Sequence, residues 1–332
     1  MKAHWHFLLM ALTVAAGSSG PAVAEPAIVY SVGGKFDGSF NESAFRGVER
    51  FRNETGATVR EFELERDAQS LQALRTFAGR GEEPVVAIGF NQASAVAEAA
   101  KAYPDTDFAI IDMVVDAPNV ASYVFKEQEA SYIAGVLAAK ASKTGTIGFV
   151  GGMDIPIIRR FLCGYQLGAK SVSKDIKVLF NMTGSTPAAF ADPARGAELA
   201  RIQIRTGADV VIQAAGGTGI GVLQAVADAG VLGIGTDSNQ NGLHPGNVLT
   251  SIRKRLDNAV YDSFKSARDG AFKPGIRVLG LAEGGMDWVL DENNKDLITP
   301  DMKAAADAAT AGISDGSIHV HDVVTEGACP VS

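Results

Sequence analysis

Short β-branched runs separated by amphipathic segments recur along almost the whole chain, and this alternation constrains the fold more than any single residue does. The runs lie at 27–32, 58–63, 85–89, 108–112, 121–125, 146–150, 177–182, 210–214, 231–236 and 248–252. Helical patterns occupy 42–55, 68–80, 92–102, 127–141, 155–170, 193–206 and 219–229. Such repetition builds a parallel sheet covered by helices on both faces. The series restarts at Gly145-Thr146-Ile147-Gly148-Phe149-Val150-Gly151-Gly152, an echo of the first strand and its double glycine, so two similar α/β lobes are expected. A mature chain of about 300 residues also exceeds what one hydrophobic core usually organises.

Ahead of the first run, Lys2, an apolar stretch at 7–16 and the small residues Ala22-Val23-Ala24 read as a cleavable secretory signal over residues 1–24. The apolar stretch is too short to span a bilayer core of about 30 Å, and no cysteine follows it to carry a lipid. A soluble periplasmic protein beginning at Glu25 is therefore expected. Removing Lys2 with the signal leaves 29 basic against 38 acidic side chains, a net charge of −9. That sign argues against nucleic acid or anionic lipid as the main partner. In an oxidising compartment the two cysteines, Cys163 and Cys329, are open to two readings. One is a bridge stapling the C-terminal tail to a helix; the other is two unrelated thiols.

Ligands of open parallel sheets sit beyond the carboxyl ends of the strands, so chemistry is sought in the loops that follow them. The run Gly216-Gly217-Thr218-Gly219-Ile220-Gly221 has the strand-to-helix context of a phosphate loop but neither the Walker nor the dinucleotide spacing. It leaves a helix N-terminus open to an anion, to a hydroxyl or to nothing. His319 and His321 would share one face of an extended segment and could suit a metal, although an exposed tail is the commoner reason for that pattern. His4 and His6 leave with the signal, and His244 lies in a late loop. No nucleophile elbow, zinc-protease motif or Ser/His/Asp set is present, so no enzyme is expected.

What recurs is one polar or aromatic side chain at each strand end. Ser31, Phe40 and Asn41 lie in the first such loop, followed by Asp112, Phe190, Asp237 and Lys254. Singly, each has a plain structural explanation: helix caps for Asp112 and Asp237, lobe core for Phe40 and Phe190, a solvated helix residue for Lys254. Jointly they describe a cleft with two aromatic faces and convergent polar groups, suited to a small polar ligand with a flat ring.

Four motifs in order resemble the basic membrane protein family of ABC-transporter substrate-binding proteins, whose best understood members are purine-nucleoside receptors of the PnrA type. They are Gly33-Gly34 through Ser39-Phe40-Asn41, Phe149 through Pro156, Ala215 through Gly219, and Thr250 through Arg255. The resemblance runs along nearly the whole mature chain. It implies a type I periplasmic-binding fold, two doubly wound lobes joined by three hinge crossings. Lobe 1 is expected to hold 25–142 and about 253–280, and lobe 2 to hold 143–252 and about 281–332. By position, it implies that Phe40 and Phe190 sandwich a base, that Asp112, Gly216, Asp237 and Lys254 bind ribose hydroxyls, and that Asn41 shapes or lines the loop. Two departures stand out. Ser31 occupies a position where the family often has an aspartate reading the purine edge, and a hydroxyl can donate as well as accept. Phe36-Asp37-Gly38 replaces the common Asp-Asp of the loop, with Phe36 either at the cleft mouth or packed beneath it.

The expected function is thus capture of a nucleoside, a purine nucleoside first, for an inner-membrane ABC permease. A monomer without cofactor or metal is expected, and Asp237→Ala or Lys254→Ala should weaken binding with little loss of fold. The alternatives are a sugar or modified base in the same fold, or a nucleoside hydrolase, which would need a positioned acid or a calcium-binding aspartate cluster.

Overall fold

The computed structural model describes residues 24–331. The expected signal lies outside them except for Ala24, as do His4 and His6. Two six-stranded sheets carry the molecule. The first takes β1 (Ala27–Tyr30), β2 (Arg60–Glu63), β3 (Val85–Ile88), β4 (Phe108–Ile111), β5 (Val120–Phe125) and β11 (Gly275–Leu279) in the order β11-β5-β4-β3-β1-β2, all parallel. The second takes β6 (Thr146–Met153), β7 (Lys177–Gly184), β8 (Val210–Ala214), β9 (Leu232–Asp237), β10 (Val248–Lys254) and β12 (Met286–Trp288) in the order β12-β10-β9-β8-β6-β7. Only β12 runs antiparallel to its neighbour. Central strands such as AIVY, VVAI and FAII are buried along their whole length, as continuous apolar runs covered on both faces must be.

The chain leaves the first sheet after β5, returns to it after β10 to place β11, and crosses once more to place β12. These are the three crossings that the resemblance implies. The helix α4 (Glu127–Ala141), grouped by sequence with the first lobe, instead packs on β10 and β12 of the second sheet, along α5 (Pro156–Val172) and against α9 (Pro300–Ser314). Small residues cause this: a side chain at Gly135 of α4, or at Gly164 or Gly168 of α5, would overlap the partner helix's backbone. The helix α8 (Leu256–Arg268) returns to pack on α1 (Phe40–Thr55). Neither α8, α9, β11 nor β12 is visible in the strand and helix patterns of the sequence.

Between the two readings of the cysteines, the structure decides for the bridge: Cys163 and Cys329 are disulfide-bonded with Cα atoms 5.7 Å apart. The bridge ties the tail to α5. His319 and His321 of that tail both approach Glu326, at 2.9 and 3.5 Å. No group of three or more potential metal ligands occurs among the described residues. Nor is any helix among them long and apolar enough to cross a membrane.

Candidate functional site

The loop between β1 and α1 is organised by two of its own side chains. Asp37 accepts hydrogen bonds from the backbone N–H groups of Ser39, Asn41 and Glu42 and so closes the start of α1. Burial pushes its carboxyl up, against those three donors. Asn41 accepts from the Ser31 N–H and donates to the carbonyls of Ser31 and Gly34, each at 3.1 Å, which spends its amide on the loop. Gly33, Gly34 and Gly38 all take positive φ, which glycine adopts without strain. The two phenylalanines part company: Phe40 opens α1 and faces inward, while Phe36 is 69% exposed, edge-on to Phe45.

Between the lobes lies a cavity of about 680 Å3, part of it open to solvent. All eight residues singled out by sequence line it: Ser31, Phe40, Asn41, Asp112, Phe190, Gly216, Asp237 and Lys254. Each lies at or beyond the carboxyl end of a strand. Phe90 and Asn91, just beyond β3, line it too and were missed, although the same strand-end rule applied to 85–89 points to them. The Phe90 ring, from the first lobe, meets Phe190, from the second, edge to face at 6.3 Å.

Asp112 and Asp237 do not cap helices. Both sit at strand ends with positive φ, +73° and +66°, a conformation uncommon outside glycine and held here by the surrounding contacts. Lys254 is not solvated. As the last residue of β10 it is 1% exposed, and its ammonium lies 2.6 Å from Asp112 and 2.8 Å from Glu127. The rings of Phe125, Phe40 and Phe161 surround it at 5.0 to 5.9 Å. Burial alone would lower the ammonium's pKa, but Asp112, Glu127 and Asp237 outweigh it and hold Lys254 well above its ordinary value. Glu127, the first residue of α4, was also missed; nothing in its local sequence marks it, since its partner is distant in the chain.

The lobes meet over this cluster. Ser39 Oγ donates to Asp237 at 2.9 Å, Ser238 Oγ donates to the Ser39 carbonyl at 2.7 Å, and Gln240 Nε2 donates to the Gly38 carbonyl at 2.9 Å. Hydrogen bonds thus join the lobes beside a half-buried aromatic slot that ends in one ammonium and carboxylates from both lobes, able to take a ring at one end and hydroxyls at the other.

Burial pushes the Asp237 carboxyl up to about 6, with Lys254 and the Ser39 hydroxyl acting against it. A carboxyl raised in the fold stabilises it below the unfolded value, near 4, and loses that contribution as pH rises through about 6. Asp237→Asn is therefore expected to raise the ligand-free protein's unfolding free energy at pH 7.5 by about 1–3 kcal/mol, an advantage that fades by pH 4. Denaturation across that range checks it; a difference that does not change with pH would place the Asp237 carboxyl in a solvated setting.

A model of the Bmp family, described as ABC transporter substrate-binding protein PnrA-like, matches residues 25–318. A Lactococcus lactis protein named ABC transporter nucleoside-binding protein BmpA is 36% identical, over 92% of each chain. Basic membrane protein D of Borreliella burgdorferi is 32% identical, over 89% of this chain and 88% of that one. An ABC transporter solute-binding protein from Aeropyrum pernix superposes with a TM-score of 0.83 at 28% identity, covering 90% of this chain and 93% of that one. The fold is thus the type I periplasmic-binding fold, and the chain belongs to the Bmp family of PnrA-like ABC transporter substrate-binding proteins.

Proposed function

We propose that this chain is a periplasmic receptor that closes its two lobes over a purine nucleoside and hands it, unaltered, to an inner-membrane ABC permease. The observation that carries the reading is the single cavity in which aromatic rings from both lobes stand beside a buried ammonium and its carboxylates. Phe40 and Phe190 take the faces of the base, with Phe90 beside them. Asp112, Asp237, Lys254 and the open backbone at Gly216 take the ribose hydroxyls, which can donate to carboxylates and accept from an ammonium. Ser31, with Asn91 at 3.4 Å, meets the base edge, and Asn41 holds the loop that carries both Ser31 and Phe40. The Lactococcus relative, named a nucleoside-binding protein, supports the ligand class. In the dry closed site an unpaired polar group costs about 1–3 kcal/mol, which is the source of selectivity.

The test is thermal unfolding of the mature, ligand-stripped protein against adenosine, guanosine, inosine, cytidine, uridine, the free bases and ribose. A ligand at about 100 times its dissociation constant adds about 2.7 kcal/mol. Purine nucleosides should raise the midpoint, with bases and ribose inert. A shift with ribose alone would move the assignment to sugars, and release of free base during incubation would make the protein a hydrolase.

A further inference from the structure

Lys254 is held from behind by a chain of charges that reaches the C-terminal tail. Glu127 is 1% exposed; one carboxylate oxygen contacts Lys254 at 2.8 Å, and the other lies 3.6 Å from a guanidinium nitrogen of Arg160 on α5. Arg160 turns the rest of its fork to the tail, donating to both oxygens of Asp322 at 2.7 and 2.9 Å. Asp322 is itself fixed, accepting from the Val324 N–H while its own N–H donates to Glu326. Cys163, bridged to Cys329, follows Arg160 by three positions on the same face of α5, so the tail is fastened at two neighbouring points.

We propose that Glu127 and Arg160 are positioning residues for the Lys254 ammonium, and that residues 319–331 set ligand affinity through them, fastened to α5 by Asp322 and by the Cys163–Cys329 bridge. The groups facing Lys254 are Asp112 beyond β4, Glu127 on α4 and Asp237 at the end of β9, with Arg160 behind Glu127. Three carboxylates thus surround Lys254, and a fourth, Asp322, shares Arg160 with Glu127. A bidentate partner holds a guanidinium fork in one orientation, and Asp322 is that partner here. Without it Arg160 keeps only the Phe125 carbonyl at 3.4 Å and the looser contact with Glu127, its fork turns toward solvent, three carboxylates press on Lys254 alone, and one of them takes up a proton at higher pH. The ammonium then shifts toward whichever carboxylate stays charged, away from the place where it meets ligand.

The inference uses the nucleoside reading only for its ligand arm, so its test has two arms on the full mature chain, oxidised wherever the cysteines are kept. In the ligand-free arm, the nitrogen-15 resonance of the Lys254 ammonium, assigned by its loss in Lys254→Arg, is followed in lysine-labelled protein. Asp322→Asn and Glu127→Gln should both move it and speed its hydrogen exchange, while Asp301→Asn, which breaks the exposed pair with Lys140, should not. In the ligand arm, Asp322→Asn should weaken adenosine or inosine about tenfold and move the pH midpoint of binding upward, with the thermal midpoint near that of the parent. Replacing both cysteines by serine should act in the same direction. A resonance and an affinity that ignore Asp322→Asn would reduce the tail to a clamp on α5 and overturn the proposal. A resonance that responds in a protein that binds no nucleoside would support the charge chain and overturn only the ligand class.

Discussion

Lys254→Met is expected to abolish ligand binding and to remove about 3–5 kcal/mol of stability at pH 7.5, because it strips the cation from the two buried carboxylates it touches. Methionine fills much the same space without charge, so packing is nearly conserved and the loss is electrostatic. Glu127 and Lys254 lie on adjoining elements of the second lobe, α4 and β10, and Asp112 approaches from the first. Parting the lobes therefore frees Asp112 but leaves Glu127 facing the missing charge. This burial argues against the expectation from sequence that removing the Lys254 ammonium would spare the fold. Adding Asp112→Asn and Glu127→Gln to Lys254→Met should restore most of the stability and none of the binding, since neutral amides carry a far smaller desolvation cost than carboxylates. Because burial already raises both carboxyls, the single variant's deficit should also shrink as pH falls and they protonate. Urea unfolding at pH 7.5 and 5 measures each point; a Lys254→Met protein as stable as the parent at pH 7.5 would mean that the cluster is solvated.

How far the sequence discloses this site follows from the range of each interaction. Strand ends are local features: an apolar run followed by glycine or a polar residue marks where the backbone stops pairing, and the parallel topology brings all such points to one side. That is why Ser31, Phe40, Asp112, Phe190, Asp237 and Lys254 come together around one cavity. The burial of Lys254 was obscured by its flanking arginines, which suggest a solvated segment. Alternation along a strand sends neighbours to opposite faces, and here Arg253 faces outward to Asp287 while Lys254 points in. Glu127 and the packing of α4 are long-range facts. They depend on what meets the helix after folding, and no periodicity within 127–141 records that partner.

The partner is met through glycine, and the second large effect follows from it. At the α4–α5 crossing a methyl group on Gly168 would overlap the Tyr132 carbonyl, one on Gly164 the Gln128 carbonyl, and one on Gly135 the Tyr165 carbonyl. Gly164 and Gly168 are four residues apart and face α4 together. Alanine within a helix is intrinsically favoured over glycine by about 1 kcal/mol. Overpacking costs about 1–3 kcal/mol where side chains can adjust, and occasionally more; here the obstructing atoms are backbone, which has no rotamer to escape into. The balance therefore goes against alanine, and Gly164→Ala with Gly168→Ala together should lose upwards of about 3 kcal/mol. Parting the helices also moves Glu127 on α4 relative to Arg160 on α5, so ligand affinity should fall by more than the fraction of unfolded protein accounts for. Denaturant unfolding alongside ligand titration separates the two effects. A double variant at least as stable as the parent would show that α4 is not seated on α5 at this distance, and the second lobe would then have to hold Lys254 by other means.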